Sequence, residues 1–260
     1  MIFITGDIHG DYDIDKLYKV NFPMIDSITR NDYLIICGDF GLLWDNSDKE
    51  KKLREWLDNK PWTTLWIDGN HENYDMIKEY PITDWNGGKI QKITDNIFHL
   101  CRGYVFEIDG RKIFAFGGAE SHDKEYRILG ESIWNEEVPT EEEIQQGRKS
   151  LDAVNWNVDI IITHSISTKL QTDIFKGWGG YGINRQTDFF GELDEKLSFD
   201  MWFSGHYHTD MNYDYKHFLI YNNIVMLTDN GFERIYPLKK NCRYIDKLPD
   251  IFEITGKKGG

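Results

Sequence analysis

Cysteine is scarce in this chain, and long apolar runs, low-complexity linkers and fixed-period repeats are missing. Only three cysteines occur among 260 residues, Cys37, Cys101 and Cys242, far apart and without C-x-x-C spacing. An odd, scattered set argues against a disulfide framework and suits a reducing cytosol. Cys37, inside YLIICGD, reads as a small buried hydrophobe. No stretch approaches the roughly eighteen apolar residues of a membrane-spanning helix. The opening MIFITGDIHG has no basic segment and too short an apolar run for a signal peptide, so it reads as a strand that starts at once. Positive charge is also in deficit, with 30 Lys and Arg against 44 Asp and Glu and a formal net charge of -14. A field of that sign repels a nucleic-acid backbone, so no broad DNA or RNA binding is expected. The expectation is a cytoplasmic protein with no membrane association. It would form one domain over residues 1–250, followed by a charged tail, 251–260, that frays.

What is present is a core. The chain is 40% hydrophobic and 15% aromatic, far from a disordered composition. Strand-like runs recur at Ile2–Thr5, Tyr33–Cys37, Thr63–Ile67, Tyr104–Ile108, Lys112–Phe116, Asp159–Thr163, Met201–Ser204, Phe218–Asn222 and Ile224–Thr228. Several are continuously apolar, as strands covered on both faces should be. Helical patterns fall between them, at Ser47–Asn59 and at Pro139–Asn155, where Thr140 and Glu143 form a capping-box pattern. Asp109-Gly110 marks a hairpin, and Asn222-Asn223 reads as a second. This order suggests two packed sheets with helices outside.

The residues that follow the strands carry the chemistry. Asp7 and His9 follow the first run in GDIHG, Asp39 the second in GDFG, and Asn70 and His71 the third in GNHE. His164 follows DIIIT, and His206 and His208 stand in GHYH after MWFS. Five of the eight histidines thus stand at strand ends, where α/β sheets bind ligands. Imidazole suits transition metals, and carboxylates add hard oxygen ligands. Asp7 and His9, like His206 and His208, are two apart, so on extended backbone both members of a pair face one side. A glycine precedes each of Asp7, Asp39, Asn70 and His206 and permits tight turns near ions. No thiolate joins the set, which fits a structural zinc site poorly. The number of candidate ligands suits two ions sharing a carboxylate, about 3.5–4 Å apart. Singly each is an ordinary turn residue; together they point to metal.

In order, GDIHG, GDFG, GNHE, His164 and GHYH resemble the five motifs of the calcineurin-like metallophosphoesterases. The resemblance runs from Gly6 to about His208. It implies an α/β fold, a four-layer α/β/β/α sandwich of two mixed sheets, and a dinuclear centre that hydrolyses phosphate esters. Asp7, His9, Asp39 and His208 resemble the ligands of one ion; Asp39, Asn70, His164 and His206 those of the other, with Asp39 bridging. His71 resembles the non-ligand histidine that faces the leaving group as general acid, while a hydroxide bridging the metals is the nucleophile. The implied cofactors are two divalent transition-metal ions, manganese foremost, with iron, zinc, nickel or cobalt also suited. The implied partner is a small phosphate ester or a nucleotide.

One departure matters. The Ser/Thr protein phosphatases of this family continue GD-x-x-D-R-G after the second strand, whereas this chain reads GDFGLLWD, with Leu42 and Leu43 where the acid and arginine would stand. That counts against a phosphoprotein phosphatase, and Lys124 or Arg127 is a candidate replacement cation. The alternatives are an inactive interaction scaffold on the same fold and, within the enzyme class, a phosphodiesterase, a nuclease or a phosphoprotein phosphatase. The segment Phe175–Asp188 reads either as a cover over the site or as a plain loop. Glu72 reads as structural, Asp68 as the start of a turn, and His99, His122 and His217 as surface or packing residues.

Overall fold

The computed structural model describes residues 1–175, 183–229 and 231–235. Its strands form two mixed sheets. The first has parallel strands β1 (Ile2–Thr5), β2 (Tyr33–Ile36), β3 (Thr63–Trp66) and β6 (Ile97–Leu100) side by side. Antiparallel strands β5 (Gly88–Lys92) and β4 (Ile82–Trp85) extend it beyond β6. Strands β13 (Ile224–Thr228) and β14 (Gly231–Ile235) extend it beyond β1. The second sheet sets β8 (Arg111–Phe116), β9 (Ile160–Thr163), β10 (Met201–Ser204) and β12 (His217–Leu219) in parallel. Antiparallel β7 (Tyr104–Ile108) and β11 (Met211–Asn212) form its edges.

Alternation along the strands makes the layers. Ile2, Ile4, Ile35 and Leu65 face Phe106, Ile113, Ile160 and Ile162 across the space between the sheets. The intervening Phe3, Leu34, Ile36 and Trp66 point outward and pack with Leu57 of α1 (Asp48–Asp58) and Ile77 of α2 (Tyr74–Lys78). On the other flank Phe114, Phe116, Ile161 and Trp202 pack with Ile144 and Leu151 of α3 (Glu141–Ala153) and with Phe189 and Phe190 of α5 (Arg185–Lys196). A remaining helix, α4 (Thr168–Ile174), contacts α5. Helices on both outer faces bury both faces of each central strand, so the strand runs are apolar throughout. The expected four layers are present.

Most expected elements stand within a residue or two of their expected bounds, including the Thr140–Glu143 capping box and the Asp109-Gly110 turn, with φ of 49° and 76°. The second expected hairpin is absent. β12 and β13 lie in different sheets, because the backbone between them is claimed elsewhere. The Asp210 carboxylate accepts from the N–H groups of Tyr221 (2.9 Å), Asn222 (3.0 Å) and Asn223 (3.1 Å), and Thr5 Oγ1 donates to the Asn223 carbonyl at 3.0 Å. A hairpin turns instead at Asn86-Gly87, where φ of 45° and 91° suits a primed two-residue turn between β4 and β5. Of the segment Phe175–Asp188, residues Arg185–Asp188 are the first turn of α5, while 176–182 lie outside the described residues, as does the tail 251–260. No described helix is long and apolar enough to cross a membrane.

Candidate metal centre

β1, β2 and β3 of one sheet and β9 and β10 of the other end at the same place, and the polar residues after them meet there. Asp7, His9, Asp39 and His208 each bring one ligand atom into a group whose members lie within 4.8 Å of one another. Asp39 sits at the centre, with Oδ2 3.1 Å from His9 Nε2 and Oδ1 3.3 Å from His164 Nε2. His164 Nε2 also lies 3.2 Å from Asn70 Oδ1, and the His206 ring is 5.0 Å from that of His164. His208 Nε2 is 3.3 Å from Asp7 Oδ2. The candidates thus border one cup, four of them gathered closely and Asn70, His164 and His206 beside them.

The backbone route differs from the expected one. Asp39, His9, His206 and His208, four of the nine non-glycine residues with positive φ among the described residues, take φ between 42° and 69°. Three of the four paired candidates, His9, His206 and His208, therefore sit on left-handed backbone and not on extended chain. Such backbone costs about 1–3 kcal/mol per residue and gathers at functional sites. The glycines mostly allow close approach instead. A Cβ on Gly69 would lie 2.1 Å from Asp39 Oδ1, and one on Gly38, itself at φ 95°, would lie 2.2 Å from His164 Nδ1.

The far side of two of the inward-facing rings is held. His9 Nδ1 lies 2.8 Å from Asp13 Oδ2, and His164 Nδ1 lies 2.6 Å from the Cys37 carbonyl oxygen. A carboxylate or carbonyl on one nitrogen fixes the tautomer that leaves the other nitrogen's lone pair facing the cup, the usual support of a metal-binding imidazole. Asn70 is oriented likewise: its Nδ2 donates to Ser121 Oγ at 3.1 Å, so Oδ1 faces inward. Asp7 is fixed by the His206 N–H, 3.1 Å from both carboxylate oxygens. Asp39 Oδ1 accepts from the His71 N–H at 2.8 Å. This donor set, hard oxygens with pre-aimed imidazole nitrogens and no thiolate, fits divalent transition metals.

Electrostatics agree. Burial opposes ionisation of Asp7, yet His164 and His208 outweigh it and hold the carboxyl at about 2. Asp39 is likewise pulled well below the carboxylate range by His164 and His71 against its burial. Without an ion, the same carboxylates push His164 up to about 9 and, with Asp13, His9 up to about 10, again against burial. Burial and the neighbouring His164 push His206 down to about 3.

Of the residues that support the cup, Lys16 had no signal in the sequence. Lys16 is buried and donates from Nζ to the carbonyls of Asp7 (2.7 Å) and Tyr221 (2.6 Å), tying the end of β1 to the segment before β13. Arg127 lies against His71, with Nη2 3.1 Å from Nε2. Glu72 accepts from the N–H groups of Phe40 (2.7 Å) and Gly69 (3.3 Å), the structural part expected of it. Burial raises its carboxyl to about 8. Asp68 does more than start a turn: fully buried, it accepts from Arg102 Nε at 2.7 Å and from the Tyr74 hydroxyl at 3.0 Å, and lies 3.1 Å from His99 Nε2.

Known proteins resemble the chain in sequence and in fold. Over 138 residues, 47% of this chain, the sequence is 26% identical to lariat debranching enzyme A of Xenopus laevis, of which the match covers 24%. A solved structure of a putative 5'-nucleotidase from Staphylococcus aureus is similar at a TM-score of 0.50 and 13% identity, over 95% of this chain and 56% of that one. At that identity the likeness speaks for the fold alone. The chain thus spans about a quarter of the first protein and about half of the second. Residues 1–210 match the family model of the calcineurin-like phosphoesterases, and the chain belongs to that family, whose members bind divalent metals.

Proposed function

We propose that the protein is a metal-dependent phosphoesterase. Asp7, His9, Asp39 and His208 hold one divalent ion, and Asp39, Asn70, His164 and His206 hold a second. The observation that carries this reading is the position of Asp39, which offers one oxygen to His9 at 3.1 Å and the other to His164 at 3.3 Å. That is where a carboxylate shared by two ions belongs. When bound, such a pair lowers the pKa of water and neutralises phosphate charge. Manganese is the first candidate, with iron, zinc, nickel and cobalt as the others that this donor set accepts. The substrate is a small phosphate ester or nucleotide, and the setting is the cytoplasm.

The chain's own contribution to the chemistry is His71. Its backbone N–H is anchored on Asp39, and its ring stands 5.6 Å from that of His9, outside the ligand group but at its rim. Burial, with Arg127 and His9 nearby, lowers the imidazole pKa. The negative charge of a bound phosphate opposes that lowering and lets His71 take up the proton that it gives to the departing alkoxide, an effect of about 10²–10⁴ in rate. His71→Ala should keep its metal and lose about that factor on an alkyl phosphate, and much less on an aryl phosphate, whose leaving group needs no proton. An unchanged alkyl rate at full metal content would remove His71 from the chemistry. Aryl mono- and diesters assayed side by side assign the ester class.

A further inference from the structure

The cup collects carboxylates in a protein already at a net charge of -14, so an anionic substrate needs a cation of the chain's own beside the ions. Leu42 and Leu43 supply none; both are fully buried among the apolar residues outside the first sheet. Three other cations near the cup are committed. Lys16 is occupied by backbone carbonyls, Arg102 by Asp68, and Lys124 by Glu120, with half its side chain in solvent.

We propose that Arg127 is the residue that binds the non-bridging oxygens of the substrate phosphate, an assignment that rests on the phosphoesterase reading above. The guanidinium is aimed: its side chain is only 11% exposed, and Nε pairs with Asp123 Oδ1 at 2.7 Å. Nη1 donates to the Ser132 carbonyl at 3.1 Å, in a loop closed by the Ile128 N–H donating to Ser132 Oγ at 2.9 Å. The remaining N–H groups converge on His71, with Nη1 3.3 Å from Nδ1 and Nη2 3.1 Å from Nε2. A neutral imidazole has a single lone pair to offer, so the guanidinium brings more donors than its neighbour can accept. The surplus faces the rim of the cup beside His71. A phosphate there supplies the missing acceptors in the forked geometry that guanidinium groups prefer. It also draws Arg127 from the imidazole and leaves His71 facing the ester oxygen.

The test uses the full chain loaded with manganese. Titration with inorganic phosphate and steady-state hydrolysis of p-nitrophenyl phosphate are compared for wild type, Arg127→Ala, Arg127→Lys and Asp123→Asn. Arg127→Ala should keep its metal while the phosphate Kd and the KM both rise about 10–100-fold, the range for hydrogen bonds to a charged group. Arg127→Lys should fall between, and free guanidinium ion should restore part of the loss in Arg127→Ala. Kd and KM within about twofold of wild type at full metal content would overturn the proposal. So would Asp123→Asn reproducing the whole defect without guanidinium rescue in Arg127→Ala, since Arg127 would then only hold its loop. If wild type hydrolyses no ester, the phosphoesterase reading fails and the phosphate titration alone judges Arg127. Binding lost only in Arg127→Ala supports it; equal binding, or none in wild type, sinks it.

Discussion

Asp68 and Asn70 are near neighbours in the chain, yet they belong to two buried polar clusters built on opposite terms. Around Asp68 every group closes on another: Arg102 and Tyr74 on one carboxylate oxygen, His99 on the other, then His99 Nδ1 2.9 Å from Gln91 Oε1, and Gln91 Nε2 donating to the Ile77 carbonyl at 2.6 Å. Around Asn70 the partners stand behind two of the rings, on Asp13 and Cys37, and the inward atoms of the cup meet one another around a common centre. A network that chains away into the core holds the fold, while carboxylates and imidazoles of fixed geometry gathered on one centre suit a cation. The direction of the lone pairs, more than the residue types, separates a structural cluster from a metal site.

Substitutions on each side should separate the clusters. Asp39→Asn has the largest expected effect. It should lose metal and at least about 100-fold in activity, the upper end of what even an outer partner of a ligand costs, while the metal-free protein still unfolds cooperatively. Turnover near wild type would take Asp39 out of the centre. Arg102→Met should do the reverse. It strands the Asp68 carboxylate, fully buried, without its cation, which costs about 3–5 kcal/mol, read as a lower denaturant midpoint. Metal affinity in the fraction that folds should stay near wild type. A variant with full stability and no metal would merge the clusters.

The smallest effect concerns His217, at the start of β12. Burial opposes its charge, but Asp194 at 2.8 Å and Asp214 at 3.0 Å outweigh this and raise its pKa above the ordinary 6.5. A raised folded pKa gives stability that is complete below the unfolded value and lost as pH climbs through the folded one. His217→Gln should therefore lower the Tm of the metal-free protein most at slightly acidic pH and least at clearly alkaline pH. A gap that widens with pH would reverse the assignment.

The contrast between the clusters also shows what one dimension of sequence holds. The seven candidate ligands and His71 were legible because each follows a strand whose apolar run announces it, and strand ends converge. The partners that aim them were not. Lys16 reaches Tyr221 and Arg127 reaches His71 across long stretches of chain, and no local spacing predicts such a contact. Asn222-Asn223 carries a hairpin signal without making a hairpin, because a side chain, Asp210, takes the N–H groups that a turn between paired strands would have left to backbone. The true one at Asn86-Gly87 was obscured because β4 is an edge strand, with Ile82 62% exposed, and lacks the apolar run of a covered strand.

The most direct test is anomalous diffraction from crystals soaked in manganese. Two peaks are predicted, about 3.5–4 Å apart, each within coordination distance of one Asp39 oxygen, with Asp7, His9 and His208 around one and Asn70, His164 and His206 around the other. A single peak, peaks that leave Asp39 uncoordinated, or an empty cup at saturating manganese would contradict the shared-carboxylate centre.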